Sequence, residues 1–127
     1  MIKVHNAGLA CTDATPDVKL ETFDTLVNTN IRAPYFLTQA CLPYMPRGGR
    51  IILLSSIAAR VPNPNVTNAL YAMTKAANEA FARDWASEFG QSRGINVNGK
   101  LGNSLYWRHT MLTSCSRSPR SRRHGHS

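Results

Sequence analysis

Gly49-Arg50-Ile51-Ile52-Leu53-Leu54-Ser55-Ser56 holds four aliphatic residues in an unbroken row, entered from a glycine pair and left through two serines. A strand facing water on one side alternates polar and apolar residues, whereas one covered on both faces reads as a continuous apolar run. The row therefore predicts a buried strand of a parallel sheet, at 50–55, and an α/β fold. Upstream, Phe23, Leu26, Val27, Ile31, Pro34 and Tyr35 follow helical spacing and predict a helix over about 20–44. Downstream, Ala69, Ala72, Ala76, Ala77, Ala80, Ala82 and Ala86 predict a strong helix over about 70–89, with Gly90 suited to its C-terminus. Strands at 2–5 and 94–98 complete the order, and 56–69, with Pro62, Asn63, Pro64 and Asn65, reads as a loop. Right-handed crossovers would set both helices on one face of a three-stranded parallel sheet. The opposite face and the outer edge of the first strand would be bare, and an isolated chain is expected to be marginally stable or to aggregate.

The residues that carry chemistry lie at the ends of these elements. Tyr71 and Lys75, in Leu70-Tyr71-Ala72-Met73-Thr74-Lys75-Ala76-Ala77, are four apart and share a helix face. A lysine ammonium there would favour the phenolate and lower the tyrosine pKa, giving a group able to exchange a proton with an alcohol. The plain alternative is a half-buried tyrosine beside a solvated lysine. Ser56 ends its strand, where ligands bind in parallel α/β sheets. Asn30 falls inside the apolar stripe of the first helix. Pro34 lacks an N–H and withholds a helical partner from the Asn30 carbonyl, which leaves either a solvated kink or a carbonyl serving a ligand.

Taken in order, Asn6-Ala7-Gly8, Asn30, Ser56 and Tyr71-x-x-x-Lys75 resemble the short-chain dehydrogenase/reductase family over about Ile2 to Asn98. The resemblance implies a partial doubly wound Rossmann sheet and hydride transfer between NADP or NAD and an alcohol or ketone. It implies Tyr71 as general acid/base, Ser56 as holder of the substrate oxygen, and Lys75 as a contact to the nicotinamide ribose. Asn30 would bind a water through its carbonyl, and Asn6, Ala7 and Gly8 would steady the sheet beside the cofactor. His5 stands where the family motif has its first Asn, and Ser55 is the rival of Ser56. Family members often form dimers through the equivalents of the helices at 20–44 and 70–89, so Trp85 and Phe89 could serve a core or an interface. Glu79 and Arg83 are expected to pair at i,i+4.

A Gly-rich turn opening a helix, the family's cofactor-phosphate site, does not occur in these 127 residues, because Gly48-Gly49 stands before a strand. The residue that would choose NAD or NADP is not recognisable either, nor is the family's Pro-Gly turn after Asn98. The expectation is the middle of an enzyme (a partial domain at 1–98), inactive alone or pairing with a full-length homologue. Through Asn98 there are nine Lys/Arg against seven Asp/Glu, whereas 99–127 holds six Lys/Arg and no acid. That basic Ser/Arg-rich end should be disordered. It is out-of-frame or intronic sequence, a solvated tail, or, as the lesser alternative, a nucleic-acid-binding segment. His124 and His126 have no cysteine or carboxylate at ligand spacing, so no metal is expected. Cys11, Cys41 and Cys115 show no metal or redox spacing, and no apolar run approaches a membrane span. A cytoplasmic location is the expectation.

Overall fold

The computed structural model describes residues 1–102, so the expectations for Cys115, His124, His126 and the rest of the basic end lie outside the described residues. Three strands, β1 (Ile2–His5), β2 (Arg50–Ser56) and β3 (Asn96–Gly102), pair in parallel in the order β1-β2-β3. This is a partial Rossmann-like sheet. Register aligns Lys3, Ile51 and Val97 across the sheet, then His5, Leu53 and Gly99. These residues face the helices.

The first helical stretch covers the span its apolar spacing predicts, but it is not one regular helix. Helix α1 (Leu20–Val27) passes through a π-helical turn at Asn28–Arg32 into α2 (Ala33–Cys41), followed by a 3₁₀ turn at Leu42–Tyr44. In the wide turn the Ala33 N–H reaches the Asn28 carbonyl five residues back. Pro34 supplies no N–H to the carbonyl four residues before it, and a widened turn accommodates that loss without ending the helix.

Helix α3 (Ala69–Arg93) packs on β2 and β3 and runs four residues beyond its expected end. Gly90 is helical, and Gly94 is the stop, at φ 62° with its N–H on the Gly90 carbonyl. Of Gly90 and Gly94, only Gly94 adopts the left-handed conformation, and Gln91, Ser92 and Arg93 are compatible with a last turn. Because Gly94 and Ile95 make the turn, β3 starts later than expected and continues to Gly102, paired along β2 as far as Ser56. Parallel pairing uses backbone groups, so the strand extends without an apolar pattern of its own. Gly99 sits where a β-carbon would meet the Ala82 methyl at 3.3 Å.

Ile51, Leu53, Ile95 and Val97 from the sheet bury against Ala82, Trp85 and Phe89 of α3, with Met45 closing the end. Trp85 is 6% exposed and stacks on Phe81 at 4.9 Å. Trp85 and Phe89 are thus core residues of this chain. Burying such aromatic area stabilises the packing of α3 on the sheet, by about 3–5 kcal/mol for each phenylalanine or tryptophan lost to alanine. Among the described residues nothing comparable covers the far face of the sheet, where Ile2 is 65% and Val4 51% exposed.

Strand β1 is tied to α2 by polar contacts. His5 Nε2 and Thr38 Oγ1 share a buried 2.7 Å hydrogen bond, and Lys3 Nζ lies 3.0 Å from Cys41 Sγ. Burial, helped by the Lys3 charge, pushes the His5 pKa down to about 4. An unfolded histidine titrates near 6.5, so folding excludes a proton that the unfolded chain binds. This stability is complete above pH 6.5 and lost as pH falls toward 4, by up to about 1.4 kcal/mol per pH unit. Urea unfolding at pH 7 and pH 5 is expected to show that loss, and His5→Asn to abolish most of it. An equal pH slope in His5→Asn would assign the effect elsewhere.

Candidate active site

The inner stripe of α3 changes character along its length. Tyr71, Thr74, Lys75 and Asn78 come first, then Ala82, Trp85 and Phe89. The apolar half holds the helix on the sheet, and the polar half is thereby brought to the carboxyl ends of β1 and β2. Open α/β sheets bind ligands at that end.

Lys75 is 6% exposed, and its Nζ donates to the Leu54 carbonyl at 3.0 Å. The same ammonium lies 5.8 Å from the Tyr71 ring centroid. Gly8 closes the other side, where a β-carbon would come 3.2 Å from Lys75 Nζ and 3.6 Å from Asn30 Oδ1. Any side chain at position 8 would therefore press on the lysine head. The missing β-carbon leaves the backbone of the turn after β1 directly beside it. Asn6 and Ala7, just before, are exposed.

The two serines have different surroundings. The Ser56 hydroxyl is near enough to the Tyr71 phenol to favour its ionised form, and its Oγ accepts from the Ala58 N–H, capping the 3₁₀ turn Ile57–Ala59. Ser55 points toward α3, where its Oγ donates to Glu79 Oε1 at 2.7 Å. Arg60 Nε reaches both oxygens of the same carboxylate, at 3.0 and 3.1 Å. Glu79 therefore pairs with Arg60 and not with Arg83, which acts on it only through space. The side chain of Arg60 arrives across the chain from the turn after β2, whereas an i,i+4 partner has only the weak helix-surface geometry. Burial raises the Glu79 pKa, but the Ser55 and Arg60 hydrogen bonds and the two arginine charges outweigh it and leave the carboxyl below its usual range.

Electrostatics at Tyr71 also depart from expectation. Burial raises its pKa, and the Ser56 hydroxyl offsets part of that rise. Lys75 does not lower it in this state. Its own charge is disfavoured by burial, which lowers its pKa, and Nζ is directed to a carbonyl rather than to the phenol oxygen. The phenol is therefore neutral at physiological pH, a proton donor at rest.

Asn30, expected to contribute through its carbonyl, is 1% exposed and engaged through its side chain. Oδ1 accepts from the Leu9 N–H at 2.9 Å, and Nδ2 donates to the Leu9 carbonyl at 2.8 Å and to Thr74 Oγ1 at 2.9 Å. Thr74 in turn donates to the Tyr71 carbonyl at 2.8 Å. Asn30 thus joins the turn after Gly8 to the first turns of α3. No expectation from the sequence falls on Thr74, and Glu79 is expected there only as a surface partner of Arg83. Both belong to a helix whose inward positions are polar where a core helix would be apolar, and that break in pattern was the available signal.

Known proteins share the sequence and the fold of this chain. A family model described as "Enoyl-(Acyl carrier protein) reductase" matches residues 2–99. The chain is 40% identical over 97 residues to the short-chain dehydrogenase/reductase FrzI of Cladobotryum sp, covering 76% of this chain and 37% of that protein. It is 43% identical over 91 residues to the tetrahydroxynaphthalene reductase PfmaG of Pestalotiopsis fici, covering 71% and 32%. Among solved structures, the landomycin C-6 ketoreductase LanV with bound NADP and rabelomycin superposes with a TM-score of 0.72 at 41% identity, covering 77% of this chain and 39% of LanV. A short-chain dehydrogenase from Burkholderia cenocepacia in complex with NADP gives 0.71 at 36% identity, covering 77% and 39%. The chain spans less than half the length of each of these proteins. With a family model matched over 2–99 and the parallel sheet and helices of its structural relatives, the chain belongs to the short-chain dehydrogenase/reductase family of oxidoreductases.

Proposed function

We propose that this chain carries the proton-transfer half of an NAD(P)-dependent oxidoreductase site acting on a ketone or the corresponding alcohol. The observation that carries the proposal is the meeting of Ser56, Tyr71 and Lys75 beside Gly8 at the carboxyl ends of β1 and β2. A neutral Tyr71 phenol suits donation of a proton to a carbonyl oxygen, and the Ser56 hydroxyl near it would hydrogen-bond that oxygen. The phenolate left behind would have the Lys75 ammonium 5.8 Å from its ring centroid, and a turn of Nζ away from the Leu54 carbonyl would bring that charge to stabilise it. A bound nicotinamide supplies or accepts the hydride.

The residues present fit the nicotinamide-ribose end of such a cofactor. The missing Gly8 β-carbon lets the turn backbone and Lys75 Nζ stand together, the two groups that a ribose would hydrogen-bond, with Tyr71 alongside. Asn6 and Ala7 line the same turn, and Asn30 holds it in place through Leu9. Either NADP or NAD satisfies these contacts. LanV and the Burkholderia cenocepacia dehydrogenase, both described above, hold NADP. Among the described residues no helix is long and apolar enough to cross a membrane, and the cytosol is the proposed compartment.

A second reading has one observation in its favour. The uncovered far face, with Ile2 and Val4 exposed, suits a non-catalytic chain that pairs with a longer relative. Tyr35, Phe36 and Leu37 on α2 are also exposed and offer the helical surface for such pairing or for self-association. Co-expression with a tagged full-length relative is expected to retain the chain on this reading, and recovery of the chain alone would reject it.

Titration of purified chain with NADPH and NADH tests the cofactor contacts directly. Saturable binding is expected, weakened roughly tenfold or more by Gly8→Ala as the new methyl displaces Lys75; equal affinity in the variant would reject the Gly8–Lys75 contact as part of the site. Turnover is tested in a chimera that joins residues 2–102 to the N-terminal half of a longer relative. There Tyr71→Phe is expected to reduce kcat by about a hundredfold or more with NADPH affinity retained. A chimera that turns over as fast without the phenol would remove Tyr71 from the role of acid.

A further inference from the structure

Ser56 has no helix of its own to hold it. It sits at the end of β2 where the strand turns into the 3₁₀ turn Ile57–Ala59, and a hydroxyl there must be fixed by what surrounds the turn. One carboxylate grips that turn at both ends. Ser55 Oγ, on the near side, donates to Glu79 Oε1 at 2.7 Å, and Arg60 Nε, on the far side, contacts Oε1 and Oε2 at 3.0 and 3.1 Å. Arg60 also closes the turn through its N–H to the Ile57 carbonyl at 2.9 Å. Glu79 itself lies one helical turn beyond Lys75 and two beyond Tyr71 on the rigid α3. The helix that carries the phenol thus also carries the group that holds the serine strand end.

We infer that Glu79 is a positioning residue of this site, setting the Ser56 hydroxyl against the Tyr71 phenol through Ser55 and Arg60. The inference rests on the Ser56–Tyr71–Lys75 reading above and extends it. A surface ion pair alone would contribute little, and the Arg60 side chain is 57% exposed. The Ser55 bond is different in kind. It is charge-assisted, short, and made by a buried hydroxyl immediately preceding Ser56, whose other acceptor is the Lys75 carbonyl at the longer distance of 3.4 Å, so loss of Glu79 exchanges a strong bond for a weak one.

The test follows the ring signals of ¹³C-labelled tyrosine in the full 127-residue chain against pH, with the Tyr71 signal assigned by its disappearance in Tyr71→Phe. Ser56→Ala removes the hydroxyl that favours the phenolate, so Tyr71 should titrate higher. Glu79→Ala is expected to move Tyr71 in the same direction, with Tyr35 and Tyr44 unchanged. The double variant is expected to titrate no higher than Ser56→Ala, because Glu79 acts only through Ser56. A wild-type Tyr71 titration in Glu79→Ala, with Ser56→Ala shifted, overturns the inference and leaves the site reading intact. An unshifted Ser56→Ala instead removes the Ser56–Tyr71 pairing, and the inference falls with it. Should Glu79→Ala not fold, Arg60→Ala carries the test from an exposed position: an upward shift of Tyr71 supports the clamp, and no shift overturns it.

Discussion

The site depends on one buried amide. Asn30 spends both amide hydrogens and its oxygen on partners from two distant parts of the chain, the Leu9 backbone and the Thr74 hydroxyl. Leu9 follows the Gly8 turn, and Thr74 stands between Tyr71 and Lys75. A buried amide with satisfied partners is directional in a way that apolar packing is not, and an unsatisfied one costs about 1–3 kcal/mol per group. The contact therefore selects one relative placement of β1, the π-helical turn and α3. Gly8 then completes the arrangement by letting the backbone approach Lys75 Nζ.

Two kinds of contact divide the labour along α3. Its C-terminal half is held by aromatic and aliphatic burial against Ile51, Leu53, Ile95 and Val97. Its N-terminal half is held by hydrogen bonds to the Leu54 carbonyl, Ser55 and Asn30. Apolar contacts supply affinity without fixing angles, whereas the polar contacts fix where Tyr71 and Lys75 stand. The polar half is expensive to bury, which is why nearly every buried polar group there has a partner. Asn78 Oδ1 is the exception among the described residues.

Much of the fold was legible. The unbroken Ile51–Leu54 row marked a buried parallel strand, and helical spacing located the stretches either side of it, because those periodicities follow from backbone geometry alone. Element ends were read less well at glycines: Gly90 and Gly94 are chemically identical, and only the docking of Ile95 into the core determines which one takes the left-handed conformation. The π-helical turn was half visible, since Pro34 announced a lost hydrogen bond but not how the backbone would absorb it. At the site, spacing brought Tyr71 and Lys75 onto one face but said nothing of burial, and burial reverses the expected direction of the Tyr71 pKa.

By itself, then, the order of residues determined the α/β alternation, the family, and which side chains share a helix face or a strand end. These are local or pairwise properties, set by periods of two and 3.6 and by motifs in sequence. Only the tertiary structure decided that the Asn30 amide joins Leu9 to Thr74, that Glu79 takes Arg60 rather than Arg83, and that the resting phenol is neutral. Each of those depends on which groups from remote segments meet, and on how much water remains between them, because hydrogen-bond partners and local dielectric are properties of the assembled fold.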